Sequence, residues 1–237
     1  MCQRIHCNER TPSNSSSSGR AASGAPLNIK LEPMSVEKLL ANSKDIDDWL
    51  DRKINGLEFK ATDRLRLSGA CFDQVHEHVK AIRLLLQQPD GHRLTGSAFS
   101  LVRPTFETFL RGLWLRHCAT DDEILKFQSD KLEKNLTEIV QAIESKDGYN
   151  VGVLARVKRE SWSAMCSYAH GGYLQAVRRI TSENIAPNYS DDEIESVIRF
   201  VSIFALLAGY EAFSIAGRDD FIGEVLARIK ALDPSAV

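Results

Sequence analysis

Arg103 and Glu107 stand four residues apart in FSLVRPTFETFLRGLWL, and four residues is about one helical turn, so the two side chains are neighbours along one helix edge. A guanidinium is a permanent, planar double donor, and one steered by a carboxylate can anchor an anion. His170 follows in SYAHGGY, where Gly171 and Gly172 break or bend a helix and permit a left-handed residue or a close backbone approach. The partial negative charge of a helix C-terminus favours the imidazolium form of such a histidine. Facing one another across a bundle, Arg103, Glu107 and His170 could bind a phosphate or exchange protons. The plainer readings are an ion pair that orients two helices and a histidine that caps a helix end.

A second pair is Arg111 with His117, five residues between them. The spacing resembles the Arg-x4–6-His motif of HEPN ribonucleases, small helical bundles that act as dimers. The resemblance implies an arginine that steadies the phosphate and a histidine that assists proton transfer, without a metal. On a straight helix these positions lie about 120° apart, with His117 on the apolar arc and Arg111 outside it, which favours a satisfied inner histidine. Cys166 and His170 share one helix face at a metal-pair spacing, but no second pair accompanies them. Cys2, His6 and Cys7 have no fourth ligand nearby. His76 and His78 point to different sides of a helix and read as solvated or rim histidines. No Gly-rich phosphate loop, Gly-x-Ser-x-Gly elbow or His-Glu-x-x-His occurs. Neither a metal nor a cofactor is expected.

The elements that must position these residues are all helices. Ser35 caps a first helix running to Asn55-Gly56, and a second runs from Thr62 to Gln88 before Pro89-Asp90-Gly91. In the second, Leu65, Phe72, Val79 and Leu86 recur every seven residues, with Val75 and Ile82 between them, as a bundle seam. The central helix, 98–118, puts Phe99, Val102, Phe106, Phe109, Leu110, Leu113 and Trp114 on one broad apolar arc. Pro104 inside it predicts a kink. Thr120-Asp121-Asp122-Glu123 is a capping box, and its acids suit a helix start rather than catalysis; a fourth helix follows to Glu144. A fifth spans 151–169, a short one 173–181, a sixth 190–216 opened by Ser190-Asp191-Asp192-Glu193, and a last 219–232. Nothing alternates as a strand does, so the fold class is all-α, a bundle of about seven or eight helices. Residues 1–33, with TPSNSSSSGRAASGAP, read as a disordered Ser-rich tail before a single helical domain at 34–237.

The chain has 237 residues, 43% of them hydrophobic, and a net charge of −2, with a pI near 6.3. That balance excludes a general pull toward nucleic acid or anionic membrane, so RNA binding would need a local basic patch. Five cysteines without a framework spacing fit a reducing cytoplasm. No signal peptide is visible, and the most apolar run, Phe200 to Tyr210, is too short to span a bilayer and reads as a buried helix.

FSLVRPTFETFLRGLWL followed by CATDDE, and SWSAMCSYAHGGYLQAVRR, resemble a group of uncharacterised bacterial helical proteins known only as domains of unknown function. The likeness spans about residues 40 to 230 and implies the fold and a bacterial origin, with no established activity. The first reading of function is a binding or regulatory module, of the toxin or phage-defence kind that such bundles serve. The second is a metal-independent HEPN-like ribonuclease using His170 or His117 with Arg103 or Arg111. The third is a helical scaffold that forms a homodimer through exposed apolar surface.

Overall fold

The computed structural model describes residues 34–59, 62–89 and 92–233. The expected tail, with Cys2, His6 and Cys7, lies outside the described residues, as do Asp90 and Gly91 of the expected turn. The described residues form α1 (Val36–Ile54), α2 (Asp63–Leu86), α3 (Thr95–Ser100), α4 (Val102–His117), α5 (Asp121–Gln128), α6 (Leu136–Glu144), α7 (Val153–Ala169), α8 (Tyr173–Val177), α9 (Asp191–Ile215) and α10 (Ile222–Leu232), with a 3-10 turn over Asp219–Phe221. The architecture is the all-α bundle that the periodicity predicts, and no strand occurs among the described residues.

Capping chemistry sets most boundaries. The hydroxyls of Ser35 and Thr62 accept the Lys38 and Leu65 amides, and full capping boxes open α5 at Thr120/Glu123 and α9 at Ser190/Glu193. Two expected helices are divided. The central one breaks at Leu101, where the Leu101 amide reaches Ala98 in a tighter turn, three residues before the proline held responsible. Pro104 is the third residue of α4, where an amide would have no intrahelical acceptor, so its missing N–H costs nothing there. The expected helix over 120–144 ends at Gln128, beyond which Asp130 takes a left-handed φ of 54°. Asn135 and Glu138 then form another capping box that restarts the chain as α6.

α2, α4 and α9 make the centre. Phe72 of α2 packs closely on α4 at Gly112, where an added Cβ would stand 2.6 Å from its ring. Phe109 links that ring to Phe204 of α9, with centroids 6.2 and 5.0 Å away. Rings of this size, fully buried, each contribute roughly 1.5–3 kcal/mol. α9 is long and apolar enough by itself to cross a membrane, but 78% of its apolar window is buried inside this fold. The helix extends well beyond the short apolar run seen in the sequence. His76 corrects another expectation. It is buried, not solvated, because α2 is covered by both α4 and α9 and its buried arc is wider than the heptad seam alone.

Candidate functional site

Arg103 sits in the first turn of α4, where the Leu101 break aims it at α7. Its Nε and Nη2 both donate to Glu107 Oε1, at 3.0 and 2.8 Å, and its guanidinium carbon lies 4.6 Å from the Trp162 ring centre, a cation–π contact. Nη1 meets His170 Nε2. The three residues singled out by spacing thus converge at the α4–α7 edge. Arg103 is largely covered, its side chain 11% exposed, whereas His170 is exposed.

α7 carries His170 there, and the Gly-Gly segment ends the helix just beyond it. α7 ends with the His170 amide bonded to the Cys166 carbonyl, and Gly171 takes a left-handed φ of 65°, a conformation that favours glycine. Gly172 then passes so close to α7 that a Cβ would stand 2.6 Å from Ser167 Oγ. That hydroxyl accepts the Leu174 amide, which starts α8. Arginine only donates, so a hydrogen bond here needs His170 Nε2 as the acceptor. Trp162 was not among the residues expected at this site. The signal was its place on one face of α7 with Cys166 and His170, four and eight residues on.

Arg111 and His117 are not brought together. Arg111 lies near Cys71 of α2, close enough for its charge to act on that thiol. His117, at the end of α4, turns to α9, where its Nε2 is 3.0 Å from Glu211 Oε2. Glu211 is the centre of a cluster that sequence reasoning missed. Its buried carboxylate also receives Arg116 Nη1 and the Tyr149 hydroxyl, and Arg116 Nη2 reaches Ser214 Oγ at 2.8 Å. Burial pushes the Glu211 carboxyl up, but the His117 hydrogen bond, the Arg116 charge and the Tyr149 hydroxyl outweigh it and hold it below the usual carboxylate range. Burial, and then the charge of Glu211, pushes the Tyr149 hydroxyl far up, so it stays a donor. A charged residue directly after the apolar run ending at Tyr210 was the available signal, because a buried carboxylate needs partners. Every Glu211 oxygen is engaged, so this cluster ties α4, α9 and the α6–α7 connection together.

Cys71 and Cys118 are free thiols. Among the described residues, no three His, Cys, Asp or Glu side chains are grouped to hold a metal ion.

Both clusters fall within residues 72–232, the stretch that matches the model of a family of unknown function, DUF6988. The chain belongs to that family. The DUF6988 match begins inside α2 and ends with α10. It leaves out α1, whose Trp49 and Leu50 pack on α9 at Phe213 and Gly209. No curated protein and no solved structure matches the chain.

Proposed function

We propose that this DUF6988 chain is a binding or regulatory module whose ligand seats at the α4–α7 edge, on Arg103, Glu107, Trp162 and His170. The observation that supports this reading is the way Arg103 is held. Nε and Nη2 are committed to Glu107 and the guanidinium face to Trp162, which leaves Nη1 for an exposed histidine. A guanidinium fixed in this way presents one donor in a constant direction, and a ligand oxygen can take the place of His170 without moving α4. Arginine does not titrate, so its role here is recognition rather than proton transfer.

The rival reading draws on the same adjacency: an arginine to steady a phosphate and a histidine to move a proton, as a metal-independent ribonuclease requires. Total bacterial RNA incubated with the full chain and EDTA separates the two. The expected result is intact RNA with the wild type, Arg103→Ala, His170→Ala and His117→Ala alike. Cleavage by the wild type that disappears in Arg103→Ala and in one histidine variant, with folding retained, overturns the binding reading.

A further inference from the structure

Every buried or half-buried arginine among the described residues has a carboxylate within salt-bridge distance, with one exception. That exception is Arg111, half-buried on α4. It lies two turns beyond Arg103 and one beyond Glu107, so the three form a stripe of about 12 Å along one helix edge. Glu107 cannot serve as its counter-ion, since Glu107 is 2.8 Å from Arg103 and balances that charge. Cys71, the neighbour on α2, does not supply a charge either. Burial pushes its thiol up to about 11 despite the nearby guanidinium. The stripe therefore carries one uncompensated positive charge, partly withdrawn from water, beside a neutral arginine–glutamate pair.

We infer that Arg111, one turn beyond Glu107 on α4, is an oxyanion anchor and takes a carboxylate or phosphate group of the ligand, paired bidentately with its guanidinium. The inference rests on the binding reading above and gives it a ligand class. The half-buried position accounts for the strength expected of such a contact, because a charge-assisted pair gains as water is excluded. The Arg103–Glu107 pair alongside has donors and acceptors for the neutral polar part of the same ligand.

The test uses the full chain, labelled with 15N, and follows the arginine Nε–Hε signals and the His170 ring during separate titrations with sodium acetate and inorganic phosphate. Sodium chloride at matched ionic strength is the reference. The expected result is a saturable movement of the Arg111 signal with acetate, phosphate or both, absent with chloride. Arg111→Met should weaken the apparent affinity by about tenfold or more, measured at the remaining signals, with the far-UV circular dichroism unchanged. A carboxylate ligand is indicated by a response to acetate alone, a phosphate group by a response to phosphate alone. An Arg111 signal that moves no more than in chloride overturns the inference, even where His170 responds and the binding reading stands. Conversely, an Arg111 response with a silent His170 ring keeps the oxyanion anchor and removes the α4–α7 seat proposed around Arg103.

Discussion

Replacing His76 by leucine should flatten the acid sensitivity of this fold between pH 6.5 and 5. His76 lies on α2 with only 8% of its surface exposed, and its Nε2 is buried without a hydrogen-bond partner. Burial, aided by the charge of Lys80 and opposed by Asp51, pulls its pKa from 6.5 down to about 4. The folded state thus keeps the ring neutral where the unfolded chain takes up a proton. Above pH 6.5 the group carries no penalty; as pH falls from 6.5 toward 4 the unfolded state binds more protons and stability declines. For the interval between 6.5 and 4, the loss is about 2 kcal/mol by pH 5 and levels off near 3 kcal/mol below pH 4. Urea denaturation followed by circular dichroism, at pH 7.5 and pH 5.0, measures it in the wild type and in His76→Leu. Leucine removes the titrating group at similar volume. Among the other groups that shape the wild-type profile, two lie on α1 and α2. Burial also lowers His78, which leaves a residual slope of the same sign, whereas burial raises Asp47, whose protonation opposes it. The difference between the two proteins cancels both. An equal fall in stability for wild type and His76→Leu would refute the reasoning.

The other clusters make their own demands. Glu211→Gln should destabilise the fold by about 3–5 kcal/mol, because it leaves Arg116 and His117 around a buried site without their anion. Glu211→Gln combined with Arg116→Met should cost less than the sum of the two single changes, and strict additivity in urea titrations would argue against a coupled cluster. Gly112→Ala would drive a methyl to 2.6 Å from the Phe72 ring, a ring that is 1% exposed and has no room to retreat. A loss of roughly 1–3 kcal/mol is expected in thermal or urea unfolding, and an unchanged midpoint would mean that α2 and α4 do not pack so closely there.

The helices themselves were legible in the residues. Thr120 with Glu123 and Ser190 with Glu193 announce helix starts through local hydrogen bonds, and the Leu65-Phe72-Val79-Leu86 repeat announces a buried seam. These signals act within a few residues of chain, so they survive without knowledge of the fold. Arg103 and Glu107 were legible for the same reason, being one turn apart on one helix. Tertiary structure alone decided what lies across space from them. His170 meets Arg103 only because α7 packs against α4 with its C-terminal end beside the start of α4. Glu211 gathers Arg116, His117 and Tyr149 from segments 62 to 95 residues away in the chain. Arg111 stands out only once the pairing of every other covered arginine is known. Local hydrogen bonds and periodicity are properties of adjacent residues, whereas the partner of a charge is set by whichever element packs against it.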